Sequence, residues 1–153
     1  MPRTGQDAFE AALGALRRRE RTTGELTAWL RERGHAEDEI ATAVNRLVAA
    51  NELDDERFAR RYAEDKRELR GWGPERIRDS LEARGLSPDL VARAIGTESR
   101  EAEVERASAL LRRRGRPLAG DADRARALGF LTRRGYDYEA AYEAVRLAAR
   151  AAR

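Results

Sequence analysis

The side chains with most potential for chemistry in this chain are its arginines. Of 31 basic residues, 30 are arginine and one is lysine, Lys66. They gather in runs: Arg17-Arg18-Arg19 with Arg21 just beyond, Arg112-Arg113-Arg114 with Arg116, and Arg133-Arg134. Arg146, Arg150 and Arg153 recur at i, i+4 and i+7, which is one face of a helix. A guanidinium is planar and permanently charged, and it grips phosphate or carboxylate through two N–H groups at once. Such runs could release counterions from a nucleic-acid backbone without reading its sequence, or could meet an acidic protein surface. The plainer account is solvated helix ends, where cations complement the carbonyl end of the helix dipole.

Other chemistries have fewer candidates. There is no cysteine, which excludes disulfides, thiolate zinc sites and a cysteine nucleophile. One histidine, His35, is too few for a His-rich metal centre and argues against a Ser/His/Asp triad. His35 follows a helix-ending glycine and is expected in an exposed turn. Asp54, Asp55, Glu56, Asp121 and Asp123 supply carboxylates, but Asp54-Asp55 stands at a helix start, where capping accounts for it. No glycine-rich phosphate loop, metal-ligand spacing or nucleophile motif occurs. The expectation is a protein that is not an enzyme and uses no metal and no cofactor. Tyr136, Tyr138 and Tyr142 could stack bases, although packing in a core or at a junction between modules is the preferred reading. Trp29 reads as half-buried packing. Trp72, between Gly71 and Gly73, reads as a staple onto the helix that follows.

The elements that carry these residues follow from an internal repeat. Arg33-Gly34, Arg84-Gly85 and Arg134-Gly135 recur at separations of 51 and 50 residues. Aligned on the glycine, Leu30, Leu81 and Leu131 share a column, as do Leu26, Ile77 and Ala127. Beyond it, Ile40, Val91 and Ala141 match, and so do Val44, Ile95 and Val145. Apolar positions four apart on both sides of a glycine describe one helix ending there and another starting just past it. A third helix precedes each pair, marked by Phe9, Ala12, Leu13 and Leu16, by Phe58, Tyr62, Asp65 and Leu69, and by Val104, Ala107 and Leu111. Thr22 with Glu25 forms a capping box, Pro74 and Pro88 take first helical positions, and Asp137 caps the last helix.

The expected fold is therefore all-α, with helices over 6–19, 23–33, 37–50, 55–70, 74–84, 88–95, 99–114, 121–134 and 138–151. Three tandem three-helix repeats, 1–53, 54–96 and 97–153, resemble helix-turn-helix modules. With 29 alanines in 153 residues and 39% charged side chains, each repeat has few large apolar residues. Stacking into an elongated, curved rod is expected to complete their burial. Formal charge is net −1, zero and +4 across the three repeats, so the basic character lies in the last. No apolar run approaches a membrane span or a signal-peptide core, which gives a cytoplasmic expectation with no membrane partner. No self-complementary patch stands out, so a monomer is expected.

The stretch Leu53-Asp54-Asp55-Glu56-Arg57-Phe58-Ala59-Arg60-Arg61-Tyr62 resembles the RecX family of recombination regulators. The resemblance continues through Gly71-Trp72-Gly73-Pro74, Ile77, Leu81 and Gly85. It begins at Leu16 and Arg19-Glu20-Arg21, and includes Glu25-Leu26, Leu30, Gly34, Ile40, Val44 and Leu47. It spans residues 8–150, most loosely in the third repeat. The resemblance implies tandem three-helix repeats and binding to the RecA recombinase, both the monomer and the filament on single-stranded DNA. It further implies restraint of filament growth, ATP hydrolysis, strand exchange and co-protease activity, within DNA repair, recombination and the SOS response. Single-stranded DNA would be reached through the filament, with a weak direct DNA contact. Asp54, Asp55, Phe58, Ala59, Tyr62, Gly73, Pro74, Ile77, Leu81 and Gly85 carry the signature and read as mainly structural. Phe58, Tyr62, Ile77 and Leu81 are expected in the core. Chosen by charge, the candidate contacts are Arg17, Arg18, Arg19, Arg112, Arg113, Arg114, Arg116, Arg133, Arg134, Arg146 and Arg150. The competing class is a stand-alone helix-turn-helix DNA-binding protein, which should place basic and polar residues at the start of a projecting helix.

Overall fold

A computed structural model describes residues 5–96 and 98–153. The described residues form nine α-helices and no strand. The first three are α1 (Gly5–Arg18), α2 (Thr23–Glu32) and α3 (Glu37–Ala49), followed by α4 (Asp55–Arg70), α5 (Pro74–Ala83) and α6 (Pro88–Ile95). The last three are α7 (Arg100–Arg114), α8 (Asp121–Arg133) and α9 (Tyr138–Ala151). Every boundary falls within one residue of the expectation from spacing and caps.

Local chemistry explains that agreement. Thr22 Oγ1 accepts from the Glu25 N–H at 3.1 Å, while the Thr22 N–H donates to Glu25 Oε1 at 3.1 Å, completing the capping box of α2. Asp137 Oδ1 accepts from the Ala140 N–H at 2.8 Å and starts α9. The glycine that ends the middle helix of each repeat is left-handed, with φ of 86° at Gly34, 85° at Gly85 and 100° at Gly135. In all three turns the glycine N–H reaches back three residues and the next N–H reaches back five. Gly34 donates to Arg31 O and His35 to Leu30 O, with Gly85 and Leu86, then Gly135 and Tyr136, repeating the pattern. This pair of hydrogen bonds folds the residue after the glycine onto the last turn of the helix.

That geometry corrects the expectation for His35. It is 6% exposed rather than out in solvent, and Leu86 and Tyr136 in the same column are buried too. The position after each glycine is thus a further core column, hidden in the sequence by its mixed types. All twelve apolar residues of the four recognised columns are at most 7% exposed. Tyr62 corrects the core expectation in part: it is half-buried, and its hydroxyl hydrogen-bonds with that of Ser80.

Two compact units emerge, one built on the chain up to Arg61 with Leu81–Val91, the other on Tyr62–Ser80 with Ala92–Arg153. The division falls within α4, α5 and α6. In the first unit α1 and α2 pack on α3 around Leu26, Leu30, Ile40, Val44, Leu47 and Leu53. In the second, α7 and α8 pack on α9, and most core positions are small: Ala107, Ala127, Ala140, Ala141, Ala144 and Ala148. Alanine faces let helix axes approach closely, and the gap near the α8–α9 turn is filled by Tyr136.

Tyr136 belongs to a close backbone junction in the second unit. The Gly73 N–H donates to Arg134 O at 2.7 Å, and the Glu75 N–H to Gly135 O at 2.9 Å. Helix-start donors of α5 thereby meet helix-end carbonyls of α8, so each dipole end faces its complement. A Cβ on Gly73 would lie 2.5 Å from the Gly135 carbonyl carbon, and one on Gly135 would collide with Arg76. The Trp72 ring has the Lys66 ammonium 4.9 Å and the Arg76 guanidinium 4.1 Å from its centroid. It therefore engages the following helix through a cation–π contact rather than the expected apolar staple.

Candidate binding surfaces

Five positions before the turn glycine, the repeats carry Trp29, Ser80 and Phe130. In the first and third repeats, this aromatic ring gathers arginines. Around Trp29 lie Arg33, Arg21 and Arg18, at 4.1, 5.3 and 5.8 Å from the ring centroid. Around Phe130 lie Arg114 at 4.2 Å and Arg134 at 4.8 Å. Arg33 and Arg134 share the column just before the glycine, and Arg18 and Arg114 each end the first helix of their repeat. The middle repeat lacks the arrangement: Ser80 bonds Tyr62, while Arg84 lies over Phe58 and pairs with Glu25 at 3.1 Å.

Electrostatics marks both clusters as crowded with positive charge. Burial, then Arg19 and Arg18, and finally Arg33, hold the Arg21 guanidinium below its ordinary value, against an opposing pull from Glu25. Burial, then Arg116, Arg133 and Arg134, does the same to Arg114. Both stay charged at neutral pH; burial is the larger cause of the lowering, and the neighbouring arginines add a repulsion that an arriving anion would relieve. A guanidinium stacked on a ring keeps its N–H edge in plane, the geometry that grips phosphate or carboxylate.

The remaining sequence candidates divide. Arg17 lines a cleft of about 410 Å³ with Arg21, Glu20, Glu52 and Asp54. Arg112 is occupied within α7, donating to Ser108 Oγ at 2.8 Å and Glu105 Oε1 at 3.0 Å. Arg134 also donates to Arg70 O at 2.7 Å, which ties it to the end of α4. Arg19, Arg113, Arg116 and Arg133 are exposed. Arg146 and Arg150 line a separate groove between α8 and α9, together with Tyr138 and Tyr142. Both tyrosines are exposed, which corrects the packing expectation; of the three, only Tyr136 is core. The helix-start positions are acidic, as in Glu37-Asp38-Glu39 of α3 and Asp89 of α6, the wrong sign for a helix entering the major groove.

The signature residues hold the scaffold. Asp54 Oδ1 accepts from the Arg57 N–H at 3.0 Å, and Asp55 Oδ1 from the Thr23 N–H at 2.7 Å. Phe58, Ala59, Ile77 and Leu81 are buried, Pro74 opens α5, and Gly73 and Gly85 serve the junction and the turn. One residue that spacing and charge did not single out is Arg106. It donates twice to Glu98, at 2.9 and 2.7 Å, and also to Trp72 O at 3.0 Å and Tyr136 Oη at 2.8 Å. Burial opposes its charge, but the Glu98 hydrogen bonds and nearby charges outweigh that and leave its pKa raised. Tyr136, whose pKa burial pushes up to about 12, stays protonated and donates to Gly71 O at 3.2 Å.

Among the described residues no helix is long and apolar enough to cross a membrane. The first three-helix domain of RecX matches residues 8–47, and its second three-helix domain matches residues 54–95. The chain is 40% identical over 144 residues to the regulatory protein RecX of Thermus thermophilus, covering 94% of each. It is 34% identical to that of Chromohalobacter salexigens, covering 84% of each. The fold matches the crystal structure of RecX from Lactobacillus salivarius with a TM-score of 0.84 at 20% identity, over 94% of this chain and 96% of that one. With both of its three-helix domains and close relatives along nearly its whole length, the chain belongs to the RecX family of regulatory proteins.

Proposed function

We propose that this protein is a contact regulator of the RecA recombinase. It binds RecA and its filament on single-stranded DNA and restrains filament growth, and with it ATP hydrolysis, strand exchange and co-protease activity. The action is binding, not catalysis. The observation that carries the reading is the matched pair of arginine–aromatic clusters, one around Trp29 and one around Phe130, on a family scaffold of regulators. A filament repeats the same surface, so two moderate contacts on one chain reinforce each other through effective concentration. Arg18, Arg19, Arg21, Arg113, Arg114, Arg116 and Arg133 are assigned as the contact arginines, with Arg112 and Arg134 serving the scaffold.

The test is RecA ATP hydrolysis on single-stranded DNA with substoichiometric protein added. The rate should fall, and alanine at Arg18 and Arg21, or at Arg114 and Arg116, should each blunt that fall and flatten its salt dependence. An unchanged rate, with tight binding to one duplex sequence, would replace this reading with a stand-alone DNA-binding protein.

A further inference from the structure

The α8–α9 groove has chemistry that the two clusters lack. Tyr138 and Tyr142 lie one turn apart on α9, 63% and 49% exposed, with ring centroids 6.2 Å apart and planes inclined by only 17°. One further turn along, the Arg146 guanidinium sits 6.0 Å from the Tyr142 ring, and Arg150 follows at the next turn. Two rings and two cations thus form a ladder with a rung about every 6 Å along the helix. Across a cleft of about 530 Å³, α8 contributes Arg124 and Leu128, and Arg153 closes the end. The acid in the lining is Asp121, fully exposed and paired with Arg124 at 2.8 Å. On α9 itself Glu139 and Glu143 stand one position on from each tyrosine, with Glu139 drawn to Arg100 at 3.5 Å.

Large exposed aromatic rings are confined to this pair among the described residues, and an arginine row beside parallel rings complements one class of polymer. We infer that this groove is a direct binding site for single-stranded nucleic acid. Bases stack on Tyr138 and Tyr142, while successive phosphates meet Arg146, Arg150 and Arg124. Stacking of this kind tolerates any base, so binding is independent of sequence. An acidic protein segment would satisfy the arginines but would gain nothing from the flat faces of the rings.

The experiment titrates the full chain, without recombinase, into a dye-labelled oligothymidylate and reads fluorescence anisotropy. Y138A/Y142A should weaken binding by tenfold or more, on the order of one decade per ring at most sites of this type. Y138F/Y142F should bind like the parent, since it keeps both faces. R146A/R150A should lower the slope of log affinity against log salt by about 1.4. Unchanged affinity in Y138A/Y142A, or an equal loss of polyglutamate binding in that variant, would overturn the assignment. Because no recombinase is present, failure here is distinct from failure of the regulatory reading. Oligothymidylate binding that depends on these tyrosines would stand even if RecA hydrolysis were unaffected.

Discussion

The first and third repeats place an aromatic ring five residues and an arginine one residue before the turn glycine, yet their glycines live in different surroundings. Beside Gly34 an added Cβ would meet nothing within 4 Å, whereas beside Gly135 it would strike the backbone of Arg76. A shared column therefore encodes a shared helix ending, and only one copy carries a tertiary junction on top of it. Repetition reports what the chain does locally. What each copy does at long range depends on which residues the fold brings against it.

The largest expected effect separates those two roles. Gly34→Ala meets only the cost of a left-handed residue with a side chain, about 1–2 kcal/mol. Gly135→Ala adds a backbone collision and should cost roughly 4 kcal/mol or more, because neither Arg76 nor the hydrogen bonds at 2.7 and 2.9 Å can be kept. Urea unfolding of the two variants measures this directly. Equal losses would mean that the junction contributes nothing beyond the turn.

Next in size comes Arg106, which joins Glu98, Trp72 and Tyr136 in the second unit. Arg106→Ala takes its donors from Glu98, which keeps Arg67 at 3.4 Å, from the Trp72 carbonyl and from the Tyr136 hydroxyl, which keeps Gly71 O, and should cost about 3 kcal/mol. Arg106→Met, which keeps much of the volume but none of the donors, should recover little. Full recovery by methionine would show that packing, not hydrogen bonding, is the residue's contribution.

These two cases show how far the sequence was legible. Helix ends were readable because capping is local: Thr22, Pro74, Asp137 and the three glycines act on residues within a turn of themselves. His35 departs from its expected exposure because burial there follows from chain reversal and not from residue type. Nothing local marks Arg106, since its partners Trp72 and Tyr136 are 34 and 30 residues away in sequence. The candidate site was legible as a list of arginines but not as a grouping. What sorts them is the column of Trp29, Ser80 and Phe130, whose rings in the first and third repeats collect guanidinium groups. By type alone Tyr138 and Tyr142 favour packing, because aromatic residues usually pack, and their exposure appears only in the structure.

A functional comparison of the two clusters has a smaller energy scale. Trp29→Leu and Phe130→Leu each retain apolar volume but remove the π face, worth about 0.5–1 kcal/mol per stacked arginine at exposed sites. Each should raise the protein concentration needed for half-maximal restraint of RecA hydrolysis by a few-fold, and the pair together by the product of the two. Ser80→Phe in the middle repeat should add nothing to that restraint. A gain from Ser80→Phe would show that any aromatic at this column suffices, without its arginines.

The smallest effect concerns the residue that starts the third helix of each repeat. Ala36, Ser87 and Asp137 share this column, and only the first offers no side-chain cap. The hydrogen bonds from Arg100, at 2.6 and 2.9 Å, hold the Asp137 carboxyl below its ordinary value in spite of partial burial. A carboxylate lowered on folding stabilises the native state above its unfolded pKa of about 3.9 and loses that contribution as pH falls through the lower folded value. Asp137→Asn keeps the cap and removes the charge, so its cost at neutral pH should be small and should shrink below about pH 4. Asp137→Ala removes the cap as well and should cost about 1 kcal/mol at neutral pH. The reciprocal change, Ala36→Asp, should return less than that, because the new carboxylate would stand beside Glu37, Asp38 and Glu39. Thermal unfolding of the three variants between pH 3 and pH 7 distinguishes a charge effect, which varies across that range, from a cap effect, which persists through it.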